Sequence, residues 1–469
     1  MMPQRLKTNP TVLARPTWRE YQTRLKKTAQ KARRVKKTLK ISALCLVLLV
    51  LSYGFIAMLN KRSFTPALSD YFVSSEDKIN DTRVDQTSMM NKRDLQVLAG
   101  NYLLDNLENE RFEFVSNNAV FRVDTSIDTT LQNFLKEKAD KSIARNMGIV
   151  CMHPDTGKIL SMVGFNKIDP LINPCVGNKF PAASIFKIIT AAAAVEQRGL
   201  NLKSKLSFNG RKHTLYKKQL KEQKNKYTNY ITFKDSFAQS VNPVFGKIGS
   251  LYLGKEILEA YALAFGFNRT IDFEIKLNPS VFSISEDPYQ WAEIASGFNH
   301  ETNITPLHGA LIASVIINQG KLIEPTIIEQ VIDEKEQVVY HSDVVTIRQA
   351  IAPETSTVVS RLMEETVKAG TFRKTFRGYK QNKILSKLNI GGKSGSIASQ
   401  SNDVRYDWFV GFAKEKNGQG KIAIAVLVTH HKYIGKRAGY FARIAMEQYF
   451  NNKIKTQVSD PNVDGNLQR

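Results

Sequence analysis

Cysteine is scarce in this chain of 469 residues. There are three, Cys45, Cys151 and Cys175, and no two form a C-x-x-C pair. The seven histidines do not cluster with thiols or acids; the adjacent His430 and His431 read as a strand end or loop. The usual Cys/His ligand spacings are therefore missing, and neither a metal nor a cofactor is expected. Acidic residues are also few, 43 Asp and Glu against 67 Lys and Arg, for a net charge of +24. Such an excess raises nucleic-acid binding, but its distribution argues otherwise. Residues 1–40 hold thirteen Lys/Arg and a single acid, Glu20. Charge is then absent altogether from Ile41 to Leu59.

As a helix, that uncharged run covers roughly 28 Å, the thickness of a bilayer's hydrocarbon core. A forty-residue polar leader and the lack of a small-x-small cleavage site set it apart from a signal peptide. We read 1–40 as a basic cytoplasmic tail and 41–60 as a single transmembrane helix. The positive-inside rule then places the rest of the chain outside the cytoplasm, with the tail against anionic lipid and no nucleic acid required. Cys151 and Cys175 would face an oxidising compartment, where a disulfide between them is one option and burial in the core the other.

Residues 61–118 read as a polar linker with a small helical spacer, because Leu95, Leu98, Tyr102, Leu103 and Leu107 follow helical spacing. Ala119–Ser126 alternates like a strand, and Asp128 caps a helix. Met147–Met152 and Lys158–Gly164 flank the turn residues His153-Pro-Asp-Thr-Gly157, which makes an antiparallel hairpin. Next comes Pro181-Ala-Ala-Ser184-Ile-Phe-Lys187, leading into an Ala-rich helix that Gly199 closes. Ser184 and Lys187 share a face of that helix. A desolvated lysine amine can take the proton of a neighbouring serine hydroxyl, the S-x-x-K logic of serine acyl transfer. The bland alternative is an N-cap serine beside a solvated lysine.

Three stretches decide between these readings: Thr125–Gln132, Ile149–Val163 and Phe180–Lys187. Together they resemble the entry of a penicillin-binding protein transpeptidase domain. The resemblance implies an α/β serine acyltransferase fold of the penicillin-binding protein and β-lactamase kind, an antiparallel sheet flanked by helices, over residues 119–455. Residues 456–469 are expected to be a disordered tail. Later motifs follow in the family's order. Ser240-Val-Asn242 resembles its S-x-N motif, on an ordered loop between two helices, with Pro243 stopping the first. Lys393-Ser394-Gly395-Ser396 resembles its K-[ST]-G strand, before the apolar strands Asp407–Ala413 and Lys421–Val428. Ala295–His308 resembles its Gly…Thr-Pro-Leu stretch, with His308 where Gln is usual.

The resemblance implies Ser184 as nucleophile, Lys187 as base and Ser240 as proton relay. Asn242 would hold substrate backbone, and Lys393 would grip a substrate carboxylate or lower the pKa of the site. Ser394, Gly395 and Ser396 would contact substrate, and the N–H groups of Ser184 and Ser396 would form the oxyanion hole. The substrates implied are peptidoglycan stem peptides, with β-lactams as covalent ligands. Other cell-wall synthesis proteins and the cytoplasmic membrane are the implied partners. About sixty residues between the span and the first family strand leave no room for a glycosyltransferase, which points to a monofunctional, class B-like protein with a reduced pedestal. The alternatives are a membrane-anchored carboxypeptidase or β-lactamase, or a β-lactam sensor. Glu274-Ile-Lys-Leu-Asn278 bears on the first, since such a glutamate could activate a hydrolytic water. Last, the basic run 211–226 (Arg211, Lys212, Lys217, Lys218, Lys221, Lys224 and Lys226, against Glu222) reads as a solvated loop or a contact for anionic polymer or lipid.

Overall fold

The computed structural model describes residues 89–139, 144–177, 180–418, 420–431 and 433–459. The basic tail and the span expected at 41–60 lie outside these residues. Among the described residues no helix is long and apolar enough to cross a membrane.

In chain order, α1 (Lys92–Asp105) is capped by Asn91, whose side chain accepts from the Arg93 and Asp94 amides. Strands β1 (Arg111–Ser116) and β2 (Ala119–Thr125) form a hairpin, and α2 (Thr129–Lys138) starts at the expected Asp128 cap. The expected hairpin is present as β3 (Ala144–Met152) and β4 (Ile159–Asn166). A 3₁₀ turn, Ala183–Phe186, leads into α3 (Lys187–Arg198), which ends at Gly199 in the left-handed conformation. Strands β5 (Lys205–Phe208) and β6 (Asn229–Thr232) bracket the basic run. Next come α4 (Phe233–Ala238), α5 (Asn242–Lys247), α6 (Gly254–Ala264), α7 (Pro288–Ser296) and α8 (Pro306–Ile317). Strands β7 (Ile328–Asp333) and β8 (Val338–His341) precede α9 (Pro353–Lys368). The chain then forms β9 (Leu388–Ala398), β10 (Arg405–Glu415), β11 (Lys421–His430) and α10 (Ala438–Ser459).

The main sheet is antiparallel, in the order β9-β10-β11-β3-β4. Its central strands are apolar on both faces because both are covered. α8, buried along its whole length, lies on one face: a Cβ added at Gly309 would sit 3.0 Å from Ala425 Cβ and 3.1 Å from Val410 Cγ2. α10 covers the other, with Phe441, Ala445 and Phe450 in a cluster that also holds Phe409 and Ile424. β9 is an edge strand, so alternate backbone groups face away from β10.

Three expectations change. A second antiparallel sheet, β1-β2-β7-β8, crosses the boundary drawn at 118/119, since β1 lies before it and β2 after it. α1 is part of the core: Leu95, Ala99 and Leu103 are buried in the cluster that holds Val123 and Val331. α10 runs on to Ser459, into the stretch read as tail, because no Gly or Pro interrupts 451–459. Cys151 and Cys175 are both buried and free, and no disulfide joins them. Cys175 instead directs its thiol at the Val163 carbonyl, 3.4 Å away.

Candidate active site

A cleft of roughly 660 Å³ is lined by Ser184, Ser240, Asn242, Ser394 and Ser396, together with His213, Gly297, His300, Thr371 and Arg405. Four elements meet there. The 3₁₀ turn presents Ser184. The α4–α5 junction presents Ser240, which has a φ of 54°, and Asn242, the first residue of α5. The helix begins at Asn242 rather than beyond Pro243, as Pro fits the first turn. The α7 C-terminus presents Gly297, and the β9 edge presents Ser394 and Ser396.

Lys187 Nζ lies 2.9 Å from Ser184 Oγ, donates to Asn242 Oδ1 at 2.8 Å, and donates to the Ser296 carbonyl. The side chain is fully buried, and Phe245 lies beneath the amine, 5.6 Å from nitrogen to ring centroid. Desolvation, and then the charge of Lys393, hold its pKa well below the usual lysine range. A neutral amine has two N–H donors and one lone pair. Asn242 and Ser296 take the two donors, which leaves the lone pair for the Ser184 hydroxyl.

Lys393 is also fully buried. Its Nζ donates to Ser240 Oγ and to the Ser394 carbonyl, each at 2.9 Å, and burial pushes its pKa down to about 7. Its charge also acts on Lys187, in keeping with the electrostatic one of the two roles expected for it. Ser240 Oγ accordingly has Lys393 as its lysine partner. Ser394 Oγ pairs with Thr371 Oγ1 at 2.7 Å, and Arg405 Nε donates to Ser396 Oγ at 3.0 Å. Gly395 is needed for packing: an added Cβ would lie 3.1 Å from Trp408 Cβ and 3.2 Å from the Ala182 carbonyl. Trp408 Nε1 in turn donates to the Pro181 carbonyl at 2.9 Å, fixing the approach to Ser184.

Residues 147–447 match the family model for the penicillin-binding protein transpeptidase domain. The chain belongs to that family. Stage V sporulation protein D of Bacillus subtilis is 28% identical over 327 residues, covering 64% of this chain and 49% of the relative. The chain thus spans about half the length of that protein. Peptidoglycan D,D-transpeptidase PbpA of Mycolicibacterium smegmatis is 22% identical, covering 65% of this chain and 67% of the relative. Among solved structures, the D,D-transpeptidase domain of a peptidoglycan glycosyltransferase from Eggerthella lenta has a TM-score of 0.58 at 21% identity, over 71% of this chain and 83% of that one. The imipenem acyl-enzyme complex of penicillin-binding protein A from M. tuberculosis has a TM-score of 0.56 at 20% identity, over 70% of this chain and 79% of that one.

Within this penicillin-binding protein fold, Glu274 lies away from the cleft. It is fully buried, where it accepts from Thr326 Oγ1 at 2.6 Å, the Ile327 amide at 3.2 Å and the Tyr340 hydroxyl at 3.2 Å. It ties the second sheet together and does not face Ser184. His308 is structural too: its Nε2 pairs with the Phe265 carbonyl at 2.8 Å, and burial lowers its pKa to about 4. Sequence reasoning missed His213, Thr371 and Arg405 as members of the cleft. His213 sits in the basic run, yet its carbonyl accepts from Asn242 Nδ2 at 3.2 Å. Among the described residues, no group of His, Cys, Asp and Glu could hold a metal ion.

Proposed function

We propose that the chain is a membrane-anchored peptidoglycan D,D-transpeptidase working through a Ser184 acyl-enzyme. The observation that carries this reading is the desolvated Lys187 amine, 2.9 Å from Ser184 Oγ, with both of its N–H groups engaged elsewhere. Lys187 takes the hydroxyl proton as Ser184 Oγ attacks the carbonyl carbon of a D-Ala-D-Ala stem peptide. The backbone N–H groups of Ser184 and Ser396 hold the oxyanion, a contribution of about 3–4 kcal/mol per donor in such sites. The C–N bond breaks, and the leaving D-Ala nitrogen takes a proton from Ser240 Oγ, which Lys393 replaces. An amine of a second strand then attacks the ester. Its proton returns through Ser240 to Lys393, and Lys187 gives its own back to Ser184 Oγ. The same nucleophile opens a β-lactam ring.

The cleft favours transfer over hydrolysis of the β-lactamase kind, because no carboxylate is among the described residues that line it. Anchoring is supported by the uncharged run at 41–59 and the charge imbalance across it. Ser184→Ala is expected to abolish labelling by a fluorescent β-lactam with the melting temperature and membrane fraction retained. Persistent labelling would remove Ser184 as nucleophile. Given a lipid-linked peptidoglycan strand, the protein is expected to yield cross-linked muropeptides. Release of D-Ala without cross-links would make it a carboxypeptidase.

A further inference from the structure

Residues 203–230 hold nine Lys and Arg against one acid, Glu222, and all nine cations are exposed. Among the described residues none of the nine is ion-paired with a carboxylate: the nearest paired lysines along the chain are Lys158 and Lys234. Glu222 is engaged by the Tyr252 hydroxyl at 3.1 Å. The β5–β6 hairpin and its loop therefore carry a strong net positive charge. Three tyrosines stand out among the lysines, Tyr216, Tyr227 and Tyr230, at 56%, 71% and 66% exposure. Exposed tyrosine beside lysine is the composition of a membrane–water interface.

This face adjoins the catalytic cleft through a thin wall. Lys212 and Gln239 line a second open cavity, while the next residue of each pair, His213 and Ser240, lines the cleft. Lys212 Nζ donates to Gln239 Oε1 at 2.5 Å, and the Lys212 carbonyl accepts from the Asn242 amide at 2.7 Å. Chain length adds a second argument, which rests on the anchoring proposed above. Only 28 residues separate a span ending at 60 from Met89. Even fully extended, they reach about 100 Å, which bounds how far the domain stands from the bilayer that holds it.

We propose that the β5–β6 hairpin docks on the anionic phospholipid surface of that bilayer, with lysines among the headgroup phosphates and tyrosines at the interface. Docking would turn the neighbouring cleft toward substrate presented at the membrane. The test uses the full chain in nanodiscs, followed by hydrogen exchange across residues 211–230. With anionic phospholipid present, exchange is expected to slow at least about fivefold relative to zwitterionic lipid alone. High salt, or the Lys218→Gln, Lys221→Gln, Lys224→Gln triple variant, is expected to remove the protection. Equal exchange in the two lipids overturns the proposal. Protection by soluble polyphosphate but not by anionic lipid overturns it as well. Labelling of the triple variant by a fluorescent β-lactam checks that its fold is intact. Failed labelling of the unmodified chain would count against the transpeptidase reading and leave the exchange comparison standing.

Discussion

A fully buried lysine ammonium loses its hydration, and Lys393 makes two hydrogen bonds in return, donating to Ser240 Oγ and to the Ser394 carbonyl. Its pKa falls to about 7 when folded, against about 10.4 for an unfolded lysine. Between these values the unfolded chain binds the extra proton, so stability rises with pH across the window. The slope approaches about 1.4 kcal/mol per pH unit for one group. Lys187, also lowered, acts with the same sign. Lys393→Met is expected to flatten the rise in urea stability between pH 7 and about 10; an unchanged slope would show that the window belongs to other groups. Because the Lys393 charge also lowers Lys187, the variant is expected to move the acid limb of β-lactam acylation to higher pH. The residues of this network differ in how readable they were. Ser184 and Lys187 could be paired from the sequence because three residues along a helix bring two side chains together. The Lys393–Ser240 contact joins positions 153 apart, and no local spacing records it.

The turn that carries Ser184 is 3₁₀ before it becomes α, whereas the sequence pattern indicated one continuous helix. The difference helps the chemistry. At three residues per turn, positions i and i+3 eclipse, so Ser184 stands directly over the start of α3, where Lys187 sits. The turn is held from outside by Gly297, which ends α7 with φ of 64°. A Cβ there would lie 1.9 Å from the Ala183 carbonyl oxygen and 2.7 Å from the Ser184 amide nitrogen. Both atoms belong to backbone and cannot swing away. Gly297→Ala is therefore expected to cost more than about 1 kcal/mol of stability and to slow β-lactam acylation at least about tenfold, by displacing the Ser184 N–H that the proposed mechanism uses as an oxyanion donor. Acylation at the unmodified rate would show that the turn does not depend on α7. A glycine in a turn is easy to see in sequence. That its neighbour is the Ser184 backbone, more than a hundred residues away, is not.

At the scale of the whole molecule, the strands of the main sheet were legible because β10 and β11 are long apolar runs. The second sheet was not. Its four strands are short, and they join residues 111–125 to residues 328–341, a pairing that leaves no pattern in either segment alone. The chain before residue 119 therefore reads as a spacer, while its side chains belong to the core. Leu95, Leu103, Phe112 and Phe114 are all at most 8% exposed. Phe114 stacks on Tyr102 at 5.2 Å and on Phe121 at 5.4 Å. Lys92 bonds the Pro325 carbonyl at 2.7 Å and pairs with Glu324 at 2.6 Å. At about 1.5–3 kcal/mol for each large apolar side chain, these four alone contribute about 6–12 kcal/mol, as much as the whole stability of a typical domain, about 5–15 kcal/mol. Removing residues up to 118 also strips β1 from β2 and uncovers a hydrogen-bonding edge beside newly exposed apolar surface. A chain begun at residue 119 is thus expected to aggregate or to melt without a cooperative transition, whereas one begun at residue 89 melts cooperatively and is labelled by a β-lactam. Equal melting and labelling of the two would show that α1 and β1 form a separable pedestal, with a core that closes without them.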